Sequence, residues 1–323
     1  MLRRRYGWGL AGLSLLAAAT FGATLLIGSA GLGPMRALHT LLGGGDDFSR
    51  LIVWTVRLPR ATAAFAVGAL LALAGVLLQA LFRNPLADPL VVGVSGGAAV
   101  GALAGMLAGA SFLALHWYAT AGGALVGLVV LMLGRGGGAT RLLLCGVVFA
   151  SACGALITVM LTLADNGHLR GMVFWLAGDL SWAQRPGLEL LAAGIALLGA
   201  ALGGRWLNVL GAGELRSAAV GLPTHGTRLV VFILSAALTA LAVIGGGMIG
   251  FVGLVAPHLV RLGFGTSDHR VVAPAAALSG GVLLCLADLL SRTVAAPREL
   301  PVGAIMALIG APVFIVLLRR QAR

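Results

Sequence analysis

Lysine is missing from this chain, and all 22 of its basic residues are arginine. The phosphate-binding loop of common ATPases needs a lysine that reaches the β- and γ-phosphates of the nucleotide. The sequence therefore excludes an ATPase site of that kind in this polypeptide. Any process that the chain carries out with ATP has to take its energy from a separate subunit.

Charged residues are also scarce. Only 10% of the 323 residues are charged, 59% are hydrophobic, and the mean hydropathy is +1.04. Apolar runs of about 20 residues, enough to cross a hydrocarbon core of about 30 Å, follow one another along the chain. This composition excludes a soluble domain. It predicts an all-α integral membrane protein that forms a single transmembrane domain over residues 1–323.

The net charge of +12 does not indicate nucleic acid binding. The arginines stand singly or in short groups between apolar runs, whereas a nucleic-acid surface gathers them along one solvated face. Enrichment of arginine in cytoplasmic loops, the positive-inside rule, explains them better. We therefore expect membrane lipid, and no nucleic acid, around the chain.

Cysteine and histidine give no metal-binding pattern. Cys145, Cys153 and Cys285 lie within apolar runs without ligand spacing, which favours buried packing. The six histidines are scattered, and the HExxH pattern of zinc proteases is absent. We predict no metal site and no cofactor.

Ten apolar segments are predicted to span the membrane. Residues 228–262 would form one helix of about 52 Å, which is too long for one crossing, and the three glycines at 245–247 offer a break. An even number of spans puts both arginine-rich ends on one side, which the positive-inside rule makes the cytoplasm. The stretch 172–178 is too short to span and predicts a re-entrant or interfacial helix. The predicted spans are 10–30, 61–82, 90–110, 112–134, 142–164, 188–207, 228–244, 248–262, 272–290 and 301–318.

The 50 glycines predict close helix packing, with a GxxxG ridge at Gly101, Gly105 and Gly109. Some arginines fall on the external side, where the positive-inside rule disfavours them and another role has to explain them. They are Arg36, Arg50, Arg57, Arg60, Arg170, Arg185, Arg292 and Arg298.

Two other functions are open to a membrane protein of this composition. The residues Gly93-Val94-Ser95-Gly96 match the GxSG of rhomboid-type intramembrane proteases, with His116 or His258 as the base. Such short motifs arise by chance in a glycine-rich chain, so we assign Ser95 to backbone packing and predict no catalytic residue.

A secondary transporter or channel is the other alternative. Ion-coupled carriers place acidic residues deep in the membrane. The ten acids of this chain lie in loops or near span ends, and Asp288 is the one partial exception. A passive pore or a pump that is powered by another subunit fits this pattern better. The cytoplasmic segment 213–223 supports the pump, since a short helix there suits a groove in a partner.

The motifs at 57–60, 75–79, 83–89, 93–98, 250–258, 268–270, 288–292, 299–303 and 310–314 resemble those of the FecCD family. These proteins are the permease subunits of bacterial metal-chelate ABC importers, which take up iron siderophores, haem or vitamin B12. The resemblance covers nearly the whole chain. It implies a homodimer of ten-helix subunits in the inner membrane, with the pathway at their interface. Two ATP-binding cassette subunits lie below it, and a periplasmic substrate-binding protein docks outside.

The resemblance also implies roles for individual residues. Those expected to dock the acidic binding protein are Arg57, Arg60 and Arg292. Those expected to form the coupling helix in the ATPase groove are Glu214, Leu215, Arg216, Ser217, Ala218, Ala219, Val220, Gly221, Leu222 and Pro223. Those expected at the cytoplasmic gate are Asn84, Leu86 and Thr140, although Ala139 replaces a hydroxyl that related permeases carry. Residues 53–54, 141–146 and 213–223 favour vitamin B12 among the substrates, and the sequence leaves haem and siderophores open.

Overall fold

The computed structural model describes residues 2–29, 31–134, 138–181 and 186–321. Over these ranges every regular element is helical. A π-helical segment (Leu51–Arg57) joins α3 to α4, and a 3-10 turn (Pro89–Val92) precedes α5. The helices are α1 (Leu2–Leu26), α2 (Pro34–Leu41), α3 (Asp47–Arg50), α4 (Leu58–Phe82), α5 (Val94–Leu107), α6 (Phe112–Gly134), α7 (Gly138–Leu163), α8 (Asn166–Leu176), α9 (Gly187–Gly211), α10 (Glu214–Ala219), α11 (Thr224–Gly246), α12 (Val252–Phe264), α13 (His269–Thr293) and α14 (Val302–Gln321).

Within the described ranges, seven helices are long and apolar enough to cross a membrane, with Asp47–Phe82 counted as one. Three others are apolar but shorter: α5, α12 and the first sixteen residues of α14, Val302–Leu317. Each predicted span overlaps one of these helices. The all-α membrane fold is thus confirmed, while ten complete crossings and two cytoplasmic termini stay predictions.

Helix α4 forms the centre of the core. In the span that contains it, 83% of the most apolar stretch is buried. A side chain at Gly68 would overlap the backbone carbonyl of Gly280 on α13, and one at Gly75 would overlap that of Gly253 on α12. These glycines let helix backbones touch, which is how membrane helices gain packing energy in the absence of a hydrophobic driving force.

The predicted glycine ridge holds for two of its three members. A side chain at Gly101 would meet the carbonyl of Tyr118 on α6, and one at Gly105 would lie 2.9 Å from Leu115. Gly109 instead sits past the end of α5, where its φ of +66° serves a turn.

The predicted break between α11 and α12 is also confirmed. Helix α11 ends at Gly246, and Gly247 follows with a φ of +75°. The short helix expected at 172–178 is present as α8, which begins earlier, at Asn166, and ends at Leu176. Its end joins the break through the Asp179 N–H, which donates to the Gly246 carbonyl at 3.0 Å.

Candidate functional site

A cluster of ions lies at the start of α4 and the end of α13, on the side that the sequence predicts to be external. We call it the external ion cluster, and its members are Arg57, Arg60, Asp288, Arg292 and Glu299. Arg60 Nε donates to Asp288 Oδ1 at 2.8 Å, and its Nη1 donates to Glu299 Oε2 at 2.7 Å. Arg292 Nε lies 2.9 Å from Asp288 Oδ2. The side chain of Asp288 is fully buried, whereas that of Glu299 is 37% exposed. The Asp288 carboxylate therefore joins α4 to α13 in the buried part of the cluster, and Glu299 forms the partly exposed edge, or rim, of the cluster.

Arg57 caps the C-terminal end of α1. Its Nη1 donates to the carbonyls of Leu25 and Leu26, each at 2.9 Å, and its Nη2 donates to that of Leu32 at 3.0 Å. The last carbonyls of a helix lack partners within the helix and carry partial negative charge. A buried guanidinium group satisfies both requirements at this helix end.

Arg57, Arg60 and Arg292, the residues expected to dock the binding protein, are buried within this chain. They are 2%, 7% and 4% exposed. A buried charge is tolerated only when it is paired and hydrogen-bonded, and Asp288 and Glu299 supply the carboxylates. The available sequence signal was that Asp288 and Glu299 lie within a few residues of Arg292, near span ends that are predicted to be external. The docking role of the three arginines stays a prediction.

The other arginines that are predicted to be external are exposed wherever the structure describes them. Arg36, Arg50 and Arg298 are exposed. Arg170 lies over the ring of Phe174, with 5.8 Å between its guanidinium carbon and the ring centroid. The predicted external Arg185 lies outside the described residues.

The predicted coupling segment contains a short helix, α10, that is fixed to the core at one residue. Ser217 is fully buried, and its hydroxyl donates to the carbonyls of Val209 at 2.8 Å and Gly213 at 2.7 Å. Leu215 is 88% exposed and Val220 is 71% exposed. The helix is thus anchored at Ser217, while Leu215 on it and Val220 directly after it are exposed on the side that the sequence predicts to be cytoplasmic.

The predicted gate residues lie on two elements. Asn84 Oδ1 accepts a hydrogen bond from the Leu86 N–H at 2.9 Å, and Leu86 is 47% exposed. Thr140 is exposed in the first turn of α7. The loop that holds Asn84 continues to Val92, whose carbonyl would lie 2.9 Å from a side chain at Gly146 on α7. The structure therefore packs the segment after the loop against α7 without a described contact between Asn84 and Thr140.

This gate loop also contains a titratable acid. Asp88 accepts a hydrogen bond from the Leu90 N–H at 2.8 Å and so begins the 3-10 turn. Burial raises the pKa of Asp88 to about 6, although the hydrogen bond from Leu90 acts in the opposite direction. A protonated Asp88 is therefore more compatible with the packed loop than an ionised one.

A polar cluster joins the C-terminal end of α9 to the start of α13. Asn208 Nδ2 donates to Asp268 Oδ1 at 2.8 Å, and the His269 N–H donates to Asn208 Oδ1 at 2.8 Å. Hydrogen bonds from the side chain of Arg270 are the main reason that the pKa of Asp268 lies below its usual range. The stabilisation is present above the unfolded-state pKa of about 3.9 and is lost as the pH falls below it. The cluster fixes the end of α9, which leads into the coupling segment, to the start of α13.

Ser95 has a packing role. It is fully buried near the start of α5, and its hydroxyl donates to the Leu90 carbonyl at 3.2 Å. Gly93, two residues earlier, has a φ of +84°. This arrangement agrees with the predicted backbone packing beside the gate loop.

Comparison with known proteins gives a consistent result. The family model described as "FecCD transport family" matches residues 15–320. The chain is 39% identical over 310 residues to the hemin transport system permease protein HmuU of Yersinia pestis, covering 92% of each. It is 41% identical over 287 residues to the vitamin B12 import system permease protein BtuC of Escherichia coli, covering 86% of this chain and 88% of that one.

Solved structures agree with this result. An inward-facing structure of a metal-chelate type ABC transporter has a TM-score of 0.82 and 31% identity, covering 97% of this chain and 99% of that one. The complex PsaBC from Streptococcus pneumoniae has a TM-score of 0.57 at 14% identity over 84% of this chain and 94% of that one, which shows likeness of fold alone. With its apolar helices, the chain is a multi-pass protein of the bacterial inner membrane. It is a transport subunit and not an enzyme, since ATP hydrolysis in this family takes place on separate subunits. The chain belongs to the FecCD transport family, as a permease subunit of a metal-chelate type ABC importer.

Proposed function

We propose that this chain moves a large metal chelate from the periplasm to the cytoplasm as one half of a homodimer. Each subunit is a single domain over residues 1–323 with ten crossing helices and both termini in the cytoplasm. Two ATP-binding cassette subunits bind below, and a periplasmic substrate-binding protein delivers the chelate from above.

Helix α10 is the observation that carries this proposal. Leu215 on this helix and Val220 directly after it are among the more exposed apolar side chains, and Ser217 of the helix is hydrogen-bonded to the core. An exposed apolar ridge on a soluble face indicates a partner surface. A helix that fits a partner's groove and is rigidly tied to α9 can pass the partner's motion into the membrane domain.

The test of coupling is ATP-driven uptake by the reconstituted importer in liposomes. Ala218→Pro removes an N–H inside α10 at a cost of about 3 kcal/mol and should abolish uptake with membrane insertion retained. Leu215→Asp should do the same, because its side chain projects away from the fold. Leu42→Asp, at an external position that is 79% exposed, is the matched control and should transport normally. Uptake driven by a sodium or proton gradient would contradict the proposal.

The exposed face of α7 supports a pathway at the subunit interface. Ser151, Thr158 and Thr162 are exposed, and their hydroxyls donate to carbonyls of their own helix at 3.1, 3.0 and 2.9 Å. Their hydrogen bonds are thus already satisfied, and the face carries no charge. Such a surface lets a large ligand pass without binding it tightly.

The ends of this pathway follow from the same arrangement. We assign the cytoplasmic gate to Asn84, Leu86 and Thr140, which lie where the loop after α4 and the start of α7 face the cytoplasm. We assign binding-protein docking to Arg57, Arg60 and Arg292, with Glu299 at the open rim of their cluster.

The substrate is a metal chelate of the class that the relatives' names describe, hemin for one and vitamin B12 for the other. Vitamin B12 is our first candidate, on the resemblance at residues 53–54, 141–146 and 213–223. Uptake of cobalamin, haem and a ferric siderophore by the same liposomes ranks the three. Selective uptake of haem or siderophore would overturn the assignment of vitamin B12 while leaving the importer function in place.

A further inference from the structure

An apolar groove of about 470 Å³ lies between α6 and α11. Its walls come from residues 120–131 of α6 and 232–244 of α11, and the buried Val94 of α5 lies at its floor. Among the described residues that line it, Thr120 has the only polar side chain, and its hydroxyl already donates to the His116 carbonyl at 2.7 Å. The groove therefore suits an occupant that is apolar and needs no hydrogen bond.

The mouth of the groove is apolar as well. Leu128 of α6 and Ile233 of α11 line the groove and are 54% and 47% exposed, so they mark its opening. Helix α7, whose exposed face we place along the pathway, contributes none of the described lining residues. Large exposed side chains within four residues of the opening are also apolar: Leu125 and Met132 on α6, and Val230 and Leu234 on α11. An uncharged opening in the middle of two membrane-spanning helices indicates that the groove faces lipid.

The length of the groove matches one leaflet of a bilayer. At a rise of about 1.5 Å per residue, the lining segment of α6 extends over about 16 Å and that of α11 over about 18 Å. Half of a hydrocarbon core of about 30 Å is about 15 Å. An acyl chain crosses one leaflet and therefore fits this length, whereas a spanning helix of another protein would need a groove along the full thickness.

The glycines of α6 show that packing within the chain does not account for the open space. Gly122 is required by packing, because a side chain there would overlap the carbonyl of Gly97 on α5. Gly123 and Gly127 line the groove, and methyl groups there would come no closer than 3.4 Å and 3.5 Å to other atoms, which is ordinary contact. Alanine is more favourable than glycine inside a helix, so the contacts of the chain itself do not explain these two glycines. A molecule that occupies the groove does.

We propose that the groove binds one acyl chain of a membrane phospholipid. The acyl chain lies between α6 and α11 against Phe232 and Val94, and the rest of the lipid stays in the bilayer. Because lipid tails are as apolar as leucine, the binding comes from van der Waals contacts that the walls of an empty groove would lack. The site is separate from the pathway and from the external ion cluster, so it does not depend on the proposed substrate or partners.

The test fills the groove with a larger side chain. Ala237→Phe on α11 places a ring there, since Ala237 is exposed and lines the groove. Ala201→Phe adds the same ring at an exposed position of α9 outside the groove and is the matched control. The purified importer is delipidated stepwise in detergent, and native mass spectrometry counts the phospholipid that it retains. The wild type and Ala201→Phe should each keep one phospholipid per subunit after the other lipid is removed, and Ala237→Phe should keep none.

A photo-crosslinking arm locates the lipid on the wild type, so the test does not depend on the folding of Ala237→Phe. The importer in nanodiscs is crosslinked to a phospholipid that carries a diazirine on one acyl chain, after the same delipidation. The crosslinks should fall within residues 120–131 and 232–244.

Three results would overturn the proposal. Equal retention by the three proteins, or crosslinks only outside the two segments, would show that the groove is not a lipid site. Retention of a detergent molecule or a free fatty acid in place of phospholipid would show that the occupant is another apolar molecule. Crosslinks between these segments and a second copy of the chain, formed with a bifunctional reagent, would show that the groove is a subunit interface.

Discussion

Helices α4 and α7 are both long and strongly apolar, yet the fold uses them in opposite ways. In the span that contains α4, 83% of the most apolar stretch is buried, against 11% in α7. Helix α4 contacts α9, α11, α12 and α13, while much of α7 faces away from the rest of the chain. Lipid tails are as apolar as leucine, so hydrophobicity drives a helix into the membrane without specifying whether it meets lipid, protein or a pathway.

The glycines of the two helices show where the difference arises. A side chain at Gly75 of α4 would overlap a backbone carbonyl of α12, whereas one at Gly154 of α7 would meet nothing within 4 Å. A glycine in a membrane helix therefore marks tight packing at one position and an open face at another. Polar and charged substitutions at paired positions can test this contrast directly.

The largest expected effect comes from comparing two acids: Asp288, which pairs with Arg60 of α4, and Asp165, which follows the end of α7. Asp288→Ala leaves Arg60 and Arg292 buried without their shared carboxylate and should destabilise the protein by about 3–5 kcal/mol. Asp165→Ala, beyond the end of α7, removes an exposed side chain with no capping hydrogen bond and should change stability by less than about 0.5 kcal/mol. Thermal unfolding of the purified importer measures both. Equal losses would show that the ion cluster is not a structural unit.

An aspartate introduced on the exposed face of α7 or of α9 should distinguish a face that lines a pathway from a face that contacts lipid. Gly194→Asp on α9 should reduce membrane insertion, since an aspartate that faces lipid costs up to about 2.5–3.5 kcal/mol. Gly154→Asp on α7 should insert normally and block uptake, because we place that face along a hydrated pathway. Both glycines have open space for a side chain. Normal insertion of both variants, or failure of both, would remove the proposed distinction between the two faces.

Adding a single methyl group to a glycine of α4 or of α7 should change stability by a smaller amount than the loss of Asp288. Gly75→Ala should cost about 1–3 kcal/mol or more through overpacking against the carbonyl of Gly253. Gly154→Ala should be neutral or stabilising by up to about 1 kcal/mol, from helix propensity alone. Thermal midpoints of the two variants in the same detergent give the comparison, and a stable Gly75→Ala would mean that α4 and α12 can move apart.

The smallest effect concerns pH at the loop between α4 and α5. Because the folded-state pKa of Asp88 is raised to about 6, the folded protein holds a proton that the unfolded chain releases near pH 3.9. Stability should therefore fall as the pH rises from about 4 to about 6 and then level off, by on the order of 1–2 kcal/mol after allowance for the partial exposure of Asp88. Asp88→Asn keeps an acceptor for the Leu90 N–H and should abolish this part of the pH dependence. A pH profile identical to that of the wild type would contradict the assignment.

Several local features were predictable because their causes are local. The glycines at 245–247 end α11 because that run can adopt a φ that other residues avoid, and the break appears at Gly247. The exposed segment after α9 forms the expected short helix. Ser95 packs against backbone as its Gly-rich surroundings suggest.

The arrangement of the external arginines was not predictable in the same way. Arg60 and Asp288 are 228 positions apart, and their pairing exists only because α4 and α13 touch along Gly68 and Gly280. The positive-inside rule counts charges by side of the membrane and contains no information on partners. It therefore identified the unusual residues but not the groups that they contact.

The sequence by itself determined that the chain lies in a membrane, that it is helical, that a break separates α11 from α12, and that a separate ATPase is needed. The apolar length of a segment, the backbone freedom of glycine and the missing lysine each act without contacts between distant residues. The resemblance of the chain to the FecCD family was equally a property of the sequence. Only the tertiary structure decided that α4 is core and α7 is not, that Arg57 caps α1, and that α6 and α11 leave an apolar groove between them. The physical reason is that these features depend on contacts between residues far apart in the chain, and such contacts form only when helix backbones pack against each other.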